Sequence, residues 1–194
     1  MVTVAATLIL SYYSDAPLKE LANPAIPENP AKAPWYFLGI QELVSYSAFM
    51  GGLLIPAIVV FGLALIPFLD RRPGGEGLWL GTPGERPVAM KSFFFSVAVT
   101  VGMLALTVNY AWLRNWFPDI HQLWIILINP GSLLVLIFAA WSLYILKRQD
   151  SVRHAAVGLF ICFLVGFTIL TYFATVHRGP NWKFYWWPSQ WPVH

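Results

Sequence analysis

The sequence has 194 residues, of which 58% are hydrophobic and only 11% are charged. A soluble domain carries roughly a quarter charged residues, so this composition excludes a soluble domain and predicts an integral membrane protein. The formal net charge of +3 is small, which argues against a nucleic-acid-binding protein. The single cysteine, Cys162, excludes an internal disulfide and is expected to be a small buried hydrophobic residue.

Four stretches are long and apolar enough to cross a bilayer, which requires about 20 mostly apolar residues. They run from about Val44 to Leu69, Ser92 to Leu113, His121 to Leu146 and Ala155 to Val176. A shorter apolar segment, Val2 to Tyr13, precedes them and is too short to cross alone. The predicted fold is therefore an all-α integral membrane protein, a bundle of four full transmembrane helices plus a shorter N-terminal helical segment.

The connections between these helices have distinct compositions. Asp15 to Pro34 contains five prolines and is predicted to be an ordered or extended loop, because proline interrupts regular backbone pairing. Asn129-Pro130-Gly131 is predicted to interrupt the third span. The segment after Arg178 is rich in aromatic residues, mostly tryptophan, which indicates either an interfacial belt at the level of the lipid headgroups or a docking surface for a partner subunit.

Basic residues in the connections predict the orientation of the bundle. One side holds seven of them (Arg71, Arg72, Arg86, Lys91, Lys147, Arg148 and Arg153), and the other holds five (Lys19, Lys32, Arg114, Arg178 and Lys183). Because cytoplasmic loops carry an excess of lysine and arginine, the first side is predicted to be cytoplasmic. The proline-rich loop and the aromatic C-terminal segment then lie on the outer, positive side, most simply of a bacterial inner membrane.

Between Asn23 and Gly39 the proline-rich loop leads into the sequence Pro34-Trp35-Tyr36-Phe37, followed by an apolar span and a basic turn. Here the chain resembles the C-terminal half of cytochrome b, most closely the subunit IV-like chain of bc/b6f-type quinol oxidoreductase complexes with a split cytochrome b. The resemblance implies a subunit IV-like transmembrane domain over residues 1–150, with a quinol-site loop at 15–42. Residues 151–194 would add one further transmembrane helix and the aromatic interfacial tail.

In that family a Pro-Glu-Trp-Tyr motif lies between two transmembrane helices on the positive side and forms one wall of the quinol-oxidation site. By resemblance, Pro34, Trp35, Tyr36 and Phe37 bind quinol here. A quinol head group requires a flat, mostly apolar slot with a few polar groups, and prolines would keep its wall rigid.

Quinol oxidation also requires a proton acceptor within hydrogen-bond reach. The glutamate of the family motif is replaced by Pro34, which cannot titrate. Glu42 is the candidate proton acceptor, since it lies seven residues after Trp35, on the same face of a helix. The alternative is an interfacial carboxylate paired with Lys32 or a neighbouring subunit. Tyr36 is a second catalytic candidate, and hydrogen bonds from Gln41 and Tyr46 could assist.

The resemblance implies that the redox groups belong to partners. The four histidines (His121, His154, His177 and His194) lie near span ends without the paired spacing that haem b requires in this family. The sequence contains no Cys-x-x-Cys-His motif for a c-type haem. We expect no metal ligated by this chain. The implied partners are a haem-bearing cytochrome b N-terminal half, a Rieske-type iron–sulfur protein with its [2Fe-2S] cluster and a cytochrome c subunit.

The resulting hypothesis is a non-haem-ligating subunit of a quinol:cytochrome c (or other acceptor) oxidoreductase, in which electron transfer is coupled to proton translocation. One alternative is a structural membrane subunit without a quinone site, against which the proline-rich loop argues. Another is a transporter subunit. Glu42, Asp70 and Asp119 all lie at span ends, whereas transport sites usually place ionisable residues within the membrane.

Overall fold

The computed structural model describes residues 2–14, 32–69, 80–81, 84–110, 116–117, 119 and 121–191. Seven α-helices are found in this part of the chain: α1 (Val2–Tyr13), α2 (Trp35–Tyr46), α3 (Ile55–Leu69), α4 (Glu85–Tyr110), α5 (Gln122–Leu127), α6 (Pro130–Gln149) and α7 (Val152–Val176). A π-helical turn, Met50–Leu54, leads into α3, and two 3-10 turns, Pro180–Trp182 and Pro188–Gln190, follow α7. The described residues contain one isolated β-bridge and no strand, which confirms the all-α prediction.

Three helices, α4, α6 and α7, are long and apolar enough to cross a membrane. The predicted span from Val44 to Leu69 is not one helix. It is interrupted at Ser47, whose backbone is extended with φ −160° and ψ 118°, and the π-helical turn and α3 that follow are not among these three helices. Four full spans are therefore not confirmed.

The third predicted span is divided where the sequence indicated. Asn129 separates α5 from α6, and its side-chain oxygen accepts a hydrogen bond of 2.9 Å from the backbone nitrogen of Ser132. Pro130 occupies the first turn of α6, where its missing N–H costs no helical hydrogen bond. Asp150, in the left-handed conformation with φ 46°, ends α6, and Ser151 caps α7. This short turn makes α6 and α7 antiparallel neighbours.

Helix α7 lies at the centre of the bundle, where it contacts α2, α4 and α6. Its contact with α4 is formed by small and hydroxyl-bearing side chains, which allow two backbones to approach closely. The Ser96 hydroxyl donates to the carbonyl of Cys162 over 2.9 Å, and the Trp141 indole of α6 donates to the Ser92 hydroxyl of α4 over 2.9 Å. Cys162 is fully buried there, as predicted. The division of the chain at residue 150 stays a prediction.

Candidate functional site

The segment Pro34-Trp35-Tyr36-Phe37 forms the first turn of α2. The backbone nitrogens of Phe37 and Leu38 donate to the carbonyl of Pro34 over 2.8 and 3.0 Å, so the proline fixes the start of the helix. All four residues are exposed, and Trp35 is 75% and Tyr36 63% accessible. The Trp35 and Tyr36 rings meet edge to face with centroids 5.9 Å apart. The predicted wall residues therefore lie together as one exposed aromatic surface.

Beyond this exposed first turn, α2 is packed tightly against α7. Leu38, Gly39, Glu42 and Leu43 are buried along this contact. A Cβ atom at Gly39 would lie only 2.8 Å from the Thr171 hydroxyl oxygen, so glycine is what permits this close approach. The exposed aromatic surface is consequently carried by a helix that cannot move without disturbing the core.

A buried ion pair joins α2 to the chain that follows α7. Glu42 is fully buried, and its carboxylate accepts hydrogen bonds from Arg178, with Nη2 to Oε1 at 2.6 Å and Nε to Oε2 at 3.1 Å. The Tyr46 hydroxyl donates to Oε1 over 2.7 Å. Bidentate arginine–carboxylate pairs of this kind are among the strongest hydrogen-bonded contacts in proteins.

Lys32, which the sequence offered as an alternative partner of Glu42, forms other contacts. Its Nζ donates to the carbonyl of Thr175 over 2.9 Å and lies 5.4 Å from the centre of the Trp191 ring. Partial burial lowers the pKa of Lys32. Gln41 accepts a hydrogen bond of 2.6 Å from the backbone nitrogen of Ala33 and so holds the approach to α2.

Sequence reasoning missed Arg178 as the partner of Glu42. Burial alone would lower the pKa of Arg178, but the hydrogen bonds and charge of Glu42 outweigh it and raise that pKa, so the guanidinium stays charged. Its Nη1 also donates to the carbonyl of Trp182 over 3.0 Å. One signal for this pairing was present in the sequence. The predicted orientation of the bundle places both Glu42 and Arg178 at its outer end.

The aromatic C-terminal segment folds back over this end of the bundle. The backbone nitrogen of Tyr185 donates to the carbonyl of His177 over 2.9 Å, and Asn181 and Trp182 have positive φ angles that reverse the chain. His177 lies among aromatic rings, with the Phe173 ring 5.4 Å away. Trp187, in contrast, is 66% exposed. Both predicted roles of this segment, interfacial belt and docking surface, stay predictions.

The other three histidines lie at helix ends or outside the described residues. His121 caps α5, His154 lies at the opposite end of the bundle near Gly84, and His194 is outside the described residues. The described residues contain no group of three His, Cys, Asp or Glu side chains that could hold a metal ion. Most of the proline-rich loop, residues 15–31, and Asp70 also lie outside the described residues.

The sequence is similar to two curated proteins, both named menaquinol:cytochrome c reductase cytochrome c subunit. The protein from Geobacillus thermodenitrificans is 30% identical over 100 residues, which cover 48% of this chain and 38% of that protein. The protein from Bacillus subtilis (strain 168) is 30% identical over 115 residues, which cover 56% of this chain and 38% of that protein. The chain thus spans well under half the length of these relatives. No family model and no solved structure matches the sequence.

Proposed function

We propose that this chain is a membrane subunit of a quinol:cytochrome c (or other acceptor) oxidoreductase complex and forms one wall of its positive-side quinol-oxidation site. The observation that carries the proposal is the exposed aromatic first turn of α2, held against the bundle by the buried Glu42–Arg178 pair. The distant relatives named as subunits of a menaquinol:cytochrome c reductase support the same class of complex.

In this proposal the quinol head group packs against Trp35 and Tyr36, whose rings present about the flat apolar area that such a ligand needs. Pro34 and Phe37 complete the wall. Because the close packing of Gly39 and the pairing of Glu42 fix α2, the rings are positioned before quinol arrives, and little ordering entropy is lost on binding. The Tyr36 hydroxyl is the polar group nearest to the ligand in this arrangement.

Oxidation of the quinol releases two electrons and two protons. In such a complex a Rieske-type partner's iron–sulfur centre would accept one electron, a low-potential haem b of the cytochrome b partner would accept the second, and the protons would leave on the positive side. Glu42 remains the candidate proton acceptor, with Tyr46 hydrogen-bonded to it. Since Arg178 occupies both carboxylate oxygens, proton uptake by Glu42 requires the guanidinium to move aside.

The wider organisation is part of the same proposal. The π-helical turn and α3 supply the fourth crossing, and the end of the bundle that holds Arg178 faces the positive side of a bacterial inner membrane. The 194 residues contain a single cysteine, so a c-type haem in such a complex is carried outside them. In this proposal the partners supply the haem and iron–sulfur chemistry. This chain supplies the shape of the site, the positioning of quinol and the proton uptake.

Steady-state quinol oxidation by the purified complex tests this function. Replacement of Tyr36 by Ala removes a stacking surface worth about 0.5–1.5 kcal/mol, so we expect a roughly two- to tenfold increase in KM for quinol. The matched control is Tyr110→Ala, because Tyr110 is 64% exposed at the same end of the bundle. Equal kinetics for both variants and wild type would instead favour the structural-subunit alternative.

A further inference from the structure

A second surface feature lies on the flank of the bundle, between α4 and α7. Here the two helices, which run in the same direction, leave a groove of about 720 Å³, within the size range of small-molecule sites. Its walls are formed by apolar side chains, among them Met90, Phe93 and Val97 on α4 and Ile161 and Val165 on α7.

Polar atoms in this groove are few and unevenly placed. Thr168 lines it, but its hydroxyl donates to the carbonyl of Leu164 within the same helix over 2.8 Å. Arg86, in the first turn of α4, is exposed and supplies the one charged side chain among the described residues of the lining. The groove is therefore an apolar channel along the membrane with a cation at one end.

The charge of Arg86 is not neutralised by the residues that the structure describes around it. The neighbouring carboxylate, Glu85, is buried and pairs with Arg153 over 2.6 Å. No ion pair to Arg86 is found within the described part of the chain. Lys147 and Arg148 end α6 at the same end of the bundle, so the local field is positive and favours an anionic group.

The length of the groove matches a lipid chain. Arg86, Met90, Phe93 and Val97 recur every three or four residues and so form one stripe along α4. At about 1.5 Å per residue, this stripe extends about 16 Å from the arginine. Half the hydrocarbon thickness of a bilayer is about 15 Å, so an acyl chain whose head group lies at Arg86 would fill it.

We propose that the groove between α4 and α7 binds an anionic phospholipid, with one acyl chain along the apolar walls and the phosphate paired with Arg86. Basic pockets between transmembrane helices on the cytoplasmic side are suited to such head groups. The phosphate distinguishes this ligand from an isoprenoid quinone, which has an apolar chain but no anionic group for Arg86. The site is separate from the proposed quinol wall, and neither depends on the other.

Native mass spectrometry of the purified, delipidated complex tests the proposal. The complex is titrated with phosphatidylglycerol and with phosphatidylcholine of identical acyl chains. For the wild type we expect about fivefold tighter binding of phosphatidylglycerol. Arg86→Gln should abolish this preference, whereas Lys91→Gln, which removes an exposed charge from α4 outside the groove, should retain it.

A second variant tests the acyl channel independently of charge. Val97→Phe narrows the groove and should weaken the binding of both lipids while the complex stays assembled. Equal affinities for the two lipids in the wild type, or an unchanged preference in Arg86→Gln, would overturn the proposal. Retention of an isoprenoid quinone in place of phospholipid would overturn it as well, as would a partner helix that covers the groove and excludes both lipids.

Discussion

The Glu42–Arg178 pair should contribute strongly to the stability of the end of the bundle at which α7 ends. In Glu42→Gln the guanidinium of Arg178, whose side chain is only 12% exposed, loses its counter-charge, and the Tyr46 hydroxyl loses a charged acceptor. Removing one partner of a buried pair costs about 3–5 kcal/mol, because the remaining charge stays buried without compensation. We expect Arg178→Gln to cost a similar amount, for the same reason.

The double variant separates the pair from its two members. With glutamine at both positions no charge is buried, and the two amides can bond to one another, so the double change should cost well below the sum of the single changes. The coupling free energy should be at least about 2 kcal/mol. Unfolding of the protein in detergent micelles, followed by tryptophan fluorescence, measures all four free energies.

Lys183→Gln is the matched control for this cycle. It removes a basic charge from the same segment, but Lys183 is exposed, so a change within about 0.5 kcal/mol is expected. Additive effects of Glu42→Gln and Arg178→Gln would refute the reasoning, since they would show that the two side chains stabilise the fold independently.

Two further predictions concern the helix junctions and use unfolding in detergent as the assay. Gly51→Ala should destabilise by about 1–3 kcal/mol, because its Cβ would lie 2.5 Å from the backbone nitrogen of Val44, whereas Gly52→Ala, with open space around it, should be neutral or slightly stabilising. A loss of similar size in both variants would contradict this explanation. Asn129→Ala should cost about 1–2 kcal/mol, because the buried amide caps α6 and also bonds to the Ser132 hydroxyl. His121→Ala removes an exposed cap with a 3.3 Å contact and should cost less, and the opposite order would show that burial does not decide the value of these caps.

The transmembrane character and the Asn129 junction could be predicted because each leaves a local signal in the sequence. Long apolar runs give the spans, and an Asn-Pro-Gly sequence gives the interruption. The interruption at Ser47 has no such signal, because one extended residue changes neither hydropathy nor helical period. Gly51 lets the chain turn back there against the backbone of α2.

The pairing of Glu42 could not be predicted because it joins residues 136 positions apart. The predicted orientation places several basic residues at the outer end, among them Lys32, Arg178 and Lys183. Only tertiary packing determines which of them pairs with Glu42. The contact between α4 and α7 was missed for a related reason. Ser92, Ser96 and Thr100 recur every four residues, but average hydropathy hides such a polar stripe within an apolar helix.

Photochemical labelling of the intact complex tests the proposed quinol wall most directly. An azido-substituted quinone would be bound, activated by light and mapped by peptide mass spectrometry, with and without excess native quinol as competitor. The account predicts competed labelling at Trp35, Tyr36 or Phe37. Competed labelling that falls entirely on partner chains, with none on the first turn of α2, would contradict it.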